Sequence, residues 1–493
     1  MSRGNRKVQY LVTFAVCLAS VTTGVLLSWT TPALPKLNQN ETSTHISREE
    51  LSWVAALSSP GFMAGSLASR FISDRFGRRA TILASAAPIV VATVGIVSSS
   101  SVWLIYLARF LWGTSVGMVA TVSTIYLAEI SDKEIRGTVS VSSRFMFNLG
   151  NFLVLAIGPV VTYDTLNYLL LVLPVVYFSA CLFIPETPYY TLKEGKVNET
   201  RKVLKKLRNY ANEKELEDEL DLMLKDVKKE TLRTGSIKEL FTGRQYRKAL
   251  IVCIGLKITQ MLSGTIVIQH YLGLIMTDSK IKLGLTTAFI IFGGVRFISG
   301  VASSLLADRV GRRPLLIISY LGTGLSLGVT GAYFLCLELL NIDEEAITPY
   351  GVVAFAGIIF SVILSTLGYN SLIYVIPAEM FPMNVKSVAM TLLNVFGGLS
   401  NFAIIKLYQQ MINKCGLFGV FALFTVVSLI GGIFSFFTVP ETKGKSLREI
   451  LILLQGEAFD EQAENLNRPA KLEVNLNGKD EETELQDIDR KEV

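Results

Sequence analysis

The chain has only two histidines, His45 and His270, and five cysteines, Cys17, Cys181, Cys253, Cys336 and Cys415. Neither set shows the paired spacing of metal ligands, and four of the cysteines stand inside apolar runs, so no metal, no other cofactor and no disulfide framework is expected. Charge is scarce as well: 18% of the 493 residues are charged against 50% hydrophobic, and the mean hydropathy is +0.45. That balance excludes a soluble protein of ordinary composition. The net charge of +6 falls mostly in short loops and one hydrophilic segment, where membrane topology accounts for it, and no nucleic-acid partner is expected. A nucleotide-driven pump lacks its site, because ahead of Gly444-Lys445-Ser446 the first glycine of a phosphate-cradling loop is replaced by Val439. Gly322, Gly324 and Gly328 lie inside an apolar run, where small residues serve close helix packing. Nothing in the sequence points to an enzyme.

What is present is a series of long apolar runs, near residues 10–30, 52–70, 80–99, 103–125, 139–162, 167–185, 249–272, 285–306, 315–337, 350–374, 388–408 and 417–438. Each approaches the roughly 20 residues of a spanning helix and about twice the length of a barrel strand. The reading is an all-α membrane protein with twelve transmembrane helices. The turns between runs carry Arg70, Arg75, Arg78, Arg79, Lys133, Arg136, Arg309, Arg312, Arg313 and Lys386 on one side, whereas the turns at 100–102, 163–166 and 338–349 on the other side carry no Lys or Arg. The positive-inside rule then places both termini in the cytosol. It also puts Asn40-Glu41-Thr42 in an outer loop, making Asn40 the glycosylation candidate, while Asn198-Glu199-Thr200 matches the same pattern on the inner side.

Residues 1–9 form a short cytoplasmic N-terminus, 10–185 a first six-helix half, 186–248 a polar connector and 249–438 a second half. Residues 439–493 form a cytoplasmic tail, with disorder expected from about 456. Within the connector, Leu204, Leu207, Leu216, Leu220 and Leu224 fall on one helical stripe, which predicts short amphipathic helices packed under the bundle.

The two halves repeat. Ser73-Asp74-Arg75-Phe76-Gly77-Arg78-Arg79 returns as Ala307-Asp308-Arg309-Val310-Gly311-Arg312-Arg313; Ala128-Glu129-Ile130 with Arg136 returns as Ala378-Glu379-Met380 with Lys386; Pro185-Glu186-Thr187 returns as Pro440-Glu441-Thr442. The order is the same and the offsets grow slowly, as loop insertions would make them. Parallel six-helix repeats joined by a long connector are the layout of secondary transporters that rock about a midplane site. With Arg109 to Gly113, Gly117, Tyr126-Leu127-Ala128-Glu129, Leu262-Ser263-Gly264 and Pro440-Glu441-Thr442-Lys443-Gly444, the chain from about residue 10 to 450 resembles the sugar porter family of the major facilitator superfamily, and within it the insect facilitated trehalose and hexose transporters.

The repeated charges suggest a latch: Asp74, Glu129, Glu186, Asp308, Glu379 and Glu441 lie beside Arg78, Arg79, Arg136, Arg312, Arg313 and Lys386, and pairing across the halves would hold the cytoplasmic side shut. Proton-coupled relatives carry an aspartate in the first helix opposite the position of Arg109; here the resemblance places Thr22 there, which cannot titrate, so downhill transport is expected. His270 reads as a satisfied or pore-facing polar residue.

The resemblance implies sugar contacts at Gln260, Tyr374 and Asn401, with Tyr374 in place of the usual tryptophan and Asn370 beside it. The family's prolines and glycines around Tyr374 have become Tyr369, Asn370, Ser371 and Ile373, which puts the hinge of that helix in question. Three positions that are neutral in the family are cationic here, Arg144, Lys257 and Arg296. A charge at the bilayer centre costs roughly 2.5–3.5 kcal/mol on insertion scales. Either these charges are held structurally or they line an electropositive cavity. The reading is therefore a facilitative transporter of a hexose- or trehalose-like sugar working by alternating access, in the plasma membrane, whose partners are a small-molecule substrate and the lipid bilayer, with no obligate protein partner. The alternatives are a transporter of an anionic organic solute on the same scaffold, or a nontransporting sensor.

Overall fold

The computed structural model describes residues 6–38, 46–98, 101–132, 135–208, 213–232, 240–241, 244–279, 283–340, 348–381, 383–445 and 449–450. Asn40 and the tail beyond 450 lie outside them. The described chain is almost entirely helical, and its helices make twelve crossings. The first comprises Arg6–Ser28 and Thr30–Asn38, the second Arg48–Ala56 and Ser58–Phe76, the third Arg78–Ala84 and Ala86–Ser98. Val102–Ile130, Arg136–Ile157 and Tyr163–Cys181 are spans 4 to 6. The second half opens with span 7, Arg244–Leu262 and Thr265–Asp278, followed by span 8, Leu285–Val310, and span 9, Arg312–Phe334. Span 10 is Gly351–Leu367 with Tyr369–Met380, and the helix Met383–Thr438 holds spans 11 and 12, divided at Gly416, where φ is 65°.

Composition explains which crossings announce themselves. Nine helical stretches among the described residues are long and apolar enough to span by themselves. Span 2 is not among them, because it is rich in Ser and Gly. Those glycines make a seam: a Cβ at Gly61, Gly65, Gly113 or Gly117 would lie about 2 Å from a backbone oxygen of the facing helix, so spans 2 and 4 touch backbone to backbone. Gly322 and Gly324 of span 9 likewise pack on Leu364 and Leu429.

Five of the spans are helix pairs, and three of their breaks bear on the site. Span 1 breaks at Trp29, span 7 at Gly264, which takes the left-handed conformation at φ 82°, and span 10 at Gly368. Span 10 thus breaks at Gly368 although Tyr369, Asn370, Ser371 and Ile373 replace the family's prolines and glycines around Tyr374. Tyr369 joins two of the breaks: its ring stacks on Tyr320 at 4.2 Å, and its hydroxyl lies 3.0 Å from Ser263 Oγ and 2.9 Å from Thr265 Oγ1.

The connector forms Pro188–Lys193, Val197–Leu207 and Glu213–Leu232. Leu204, Leu207, Leu216 and Leu220 of the expected stripe are buried, and Leu224 packs against them. It is fastened to the first half by Gln9, which donates to Leu207 O at 3.0 Å, and by the Arg208–Asp132 pair at 2.6 Å. The end of the bundle bearing these helices is the connector side, the other the far side.

Candidate functional site

The two Arg-rich loops have the same construction. Gly77 (φ 98°) and Gly311 (φ 102°) each turn the chain into a helix, and the first backbone amides of that helix point at a carboxylate. Glu186 accepts from Arg78 N at 3.0 Å and Arg79 N at 3.1 Å; Glu441 accepts from Arg312 N at 3.0 Å and Arg313 N at 3.1 Å. These two acids therefore cap helix N-termini, where unpaired N–H groups and the helix dipole favour an anion. Partial burial opposes ionisation of Glu441, but the backbone N–H groups of Lys443, Arg312 and Arg313 outweigh it and hold the carboxyl below its usual range.

The arginine side chains go elsewhere. Arg78 reaches Glu129 at 3.3 Å and Asp74 at 3.8 Å, and Arg312 reaches Glu379 at 3.0 Å, while Thr442 donates to the second oxygen of Glu379. Arg79 and Arg313 donate to the carbonyls of Leu182 and Phe436, and Asp74 also holds Lys193 of the connector at 3.1 Å. None of these pairs joins one half to the other. Among the described residues the expected pairing across the halves is not found: Asp74, Glu129, Glu186, Glu379 and Glu441 each have a partner that is not on the other half. The side chains of Arg136 and Asp308 lie outside the described residues, and Lys386 is half-buried.

The halves meet at the far side instead. Thr30 Oγ1 lies 2.7 Å from His270 Nδ1, Thr31 donates to Gln269 O and Gln269 to Ser28 Oγ at 3.1 Å. Arg48 makes a forked pair with Asp278 at 2.7 and 2.8 Å, and Lys406 bonds Ser52 at 2.8 Å with its Nζ 4.1 Å above the Trp53 ring. Gly273 packs on Pro35 with no room for a Cβ. At the connector side no hydrogen bond or ion pair joins the halves among the described residues. The structure is closed at the far side, and His270 is a satisfied residue of that closure, 2% exposed.

Below the closure, polar groups gather. Gln260 donates to Asn370 Oδ1 at 2.9 Å, and Asn401 donates to Ser59 Oγ of the other half at 3.0 Å. Gln260 Oε1 and Asn401 Oδ1 are buried acceptors without a partner among the described residues, which is unusual unless a ligand or water supplies the hydrogen. One turn further toward the connector, the Tyr374 ring has Lys257 Nζ at 4.6 Å and the Arg144 guanidinium at 5.9 Å. Arg296 precedes Phe297, which packs on Phe145 at 5.0 Å in the contact of spans 5 and 8. Two small clefts adjoin here, the first lined by Lys257 and Tyr374, the second by Met63 and Thr121 of the first half, and Asn394 borders both. Asn394 escaped the sequence reading, although it is the single amide in the run from 388 to 400. Thr22, buried, bonds its own helix at Leu18 O.

The family profile described as "Sugar (and other) transporter" matches residues 14–454. The chain is 30% identical over 444 residues, 90% of this chain and 86% of the relative, to a protein named facilitated trehalose transporter Tret1 from Bombyx mori. It is 28% identical to the protein of that name from Apis mellifera ligustica, over 90% of this chain and 87% of the other. Among solved structures it resembles the inward-open xylose transporter XylE from E. coli with a TM-score of 0.71 at 19% identity, over 90% of this chain and 99% of that one. The partially occluded inward-open form gives 0.72, again at 19% identity, over 90% and 100% of the two chains. Twelve crossings in two matching halves carry the major facilitator fold, and the match over nearly the whole spanning region makes this chain a member of the sugar transporter family.

Proposed function

We propose that the protein carries a carbohydrate across the membrane down its gradient by alternating access, and that the conformation described is inward-facing. The observation that carries the reading is the pair of unpartnered buried acceptors, Gln260 Oε1 and Asn401 Oδ1, about one turn above a cleft lined by Lys257 and Tyr374, between two halves whose hydrogen bonds and ion pairs to each other, among the described residues, lie at the far side and at Asn401. A sugar offers hydroxyl donors for such acceptors and an apolar ring face for an exposed aromatic such as Tyr374. Breaks in spans 1, 7 and 10 near mid-height belong with a midplane site of this kind. Relatives named trehalose transporters support a sugar as the cargo, and the threonine at position 22 supports uniport.

In this reading the connector side is cytosolic, both termini are inside, the protein resides in the plasma membrane, and Asn40 is presented outside for glycosylation. The Glu186 and Glu441 caps with the Arg78–Glu129 and Arg312–Glu379 pairs brace the cytosolic end of each half so that it moves as one body. The test is counterflow in proteoliposomes of purified protein with labelled glucose, trehalose and glucuronate, without a pH gradient and with the potential clamped at zero. Trans-stimulated uptake of at least one carbohydrate is expected, falling about tenfold in Gln260→Ala, the effect of one buried hydrogen bond of about 1.4 kcal/mol. No counterflow of any of the three overturns the proposal.

A further inference from the structure

Away from their ends, the spans of this chain carry cations but no acids. The sequence contains no Asp or Glu between Glu50 and Asp74, between Asp74 and Glu129, from Ile135 to Tyr163, from Leu240 to Thr277, from Arg309 to Leu337, or between Glu379 and Glu441, yet Arg109, Arg144, Lys257 and Arg296 lie inside spans. A charge at that depth must be compensated by dipoles, water or a counter-ion.

Arg109 shows what structural compensation looks like. It is 0% exposed, donates to Val54 O at 2.9 Å and Leu26 O at 3.1 Å, and lies 5.6 Å from the Trp29 ring, so carbonyl dipoles and an aromatic face spread its charge. Arg144 and Lys257 have no such cradle. Among the described residues neither has a carboxylate partner, and Arg144 has the Tyr374 ring, which lines the first cleft, as its described contact. They come from opposite halves, spans 5 and 7, and converge on that one ring, itself 45% exposed. Two cations drawn to one face repel each other, and an anion between them removes the repulsion while adding a charge-assisted bond to each half.

We propose that Arg144 and Lys257, flanking Tyr374, form an anion subsite, so that the preferred cargo is an acidic sugar whose carboxylate sits between them while its hydroxyls meet Gln260 and Asn401. The inference rests on the transport reading above and adds a substrate class to it. Because the two cations belong to different halves, cargo binding draws the halves together at the level of Tyr374 and so couples recognition to occlusion.

The experiment is counterflow with the full chain in proteoliposomes, comparing labelled glucuronate, glucose and glucose 6-phosphate, in the native protein and in Arg144→Gln/Lys257→Gln. The expected result is glucuronate favoured at least tenfold over glucose, with that preference lost in the double variant while glucose counterflow, however slow, persists as proof of a folded carrier. Should the double variant not fold, Arg144→Lys and Lys257→Arg keep the charges and are expected to keep the preference; imposing a membrane potential is expected to alter glucuronate uptake and not glucose uptake. Preference for glucose 6-phosphate over glucuronate upholds the anion subsite and gives it a phosphate. Glucose counterflow that neither anion matches or inhibits overturns the subsite and leaves the transport reading standing. Movement of no carbohydrate overturns both.

Discussion

Gly311 occupies a backbone region, φ 102° and ψ 162°, that residues with a Cβ scarcely visit, and a Cβ there would lie 2.8 Å from Glu441 Oε2. Gly311→Ala is expected to cost about 1–3 kcal/mol and to lower the melting temperature in detergent. Gly195→Ala is the comparison: its φ is 73°, but nothing lies within 4 Å, so only the left-handed backbone cost of about 1–2 kcal/mol applies and transport should persist. Glu441 itself gives a pH signature. Its carboxyl is held below its usual range by backbone N–H groups, so its contribution to stability is complete above the unfolded glutamate value of about 4.3 and is lost as pH falls through the lower folded value. The melting-temperature gap between native protein and Glu441→Gln should be constant from pH 7 to 5 and close as pH drops below 4. A gap unchanged at pH 3 would show that the cap does not depend on the carboxylate charge.

At the scale of single elements, the breaks in the spans govern how the site is presented. Gly264, at φ 82°, reverses the local twist of span 7 against the Phe424 ring, 2.2 Å from where a Cβ would stand. Gly264→Ala is expected to destabilise the fold by more than Gly195→Ala does, and to reduce transport in the fraction that folds, because Gln260 and Lys257 hang from the helix that ends there; equal melting temperatures for the two variants would deny the break this role. Much of this was legible in advance. Apolar runs of spanning length gave the twelve crossings, and the leucine stripe gave the connector helices, because both follow from periodicity alone. The span lengths were read short at their polar ends: the run at 52–70 is a helix pair from Arg48 to Phe76, since capping by Ser47 and the glycine seam, rather than hydropathy, set its extent. The repeated acids were found, but not their partners. An N-terminal cap and a salt bridge use the same residue types, and only the positive φ of Gly77 and Gly311 turns backbone amides toward Glu186 and Glu441.

At the scale of the whole molecule, function is a balance between two closures, and the structure shows which interactions favour one of them. The forked Arg48–Asp278 pair and the Lys406 contacts with Ser52 and Trp53 are the charged ties between the halves at the far side. Arg48 and Asp278 are partly exposed, 46% and 25% of their side chains, so the pair adds only a fraction of a kcal/mol to about 1 kcal/mol. A conformational equilibrium between two states a few kcal/mol apart nevertheless responds to changes of that size, since each 1.4 kcal/mol is a factor of ten in population. Arg48→Ala/Lys406→Ala should therefore shift the protein toward the conformation open at the far side. The readout is a cysteine at Ser59, which lies behind the ties and bonds Asn401, introduced into a chain with its five native cysteines replaced. Its labelling by a membrane-impermeant thiol reagent from the far side should accelerate several-fold in the double variant and fall back when that reagent is applied at high glucose, if glucose draws the halves together. Labelling at the native rate would mean that packing of Pro35 on Gly273 and the uncharged Thr30–His270 bond, rather than the charged ties, hold the far side shut.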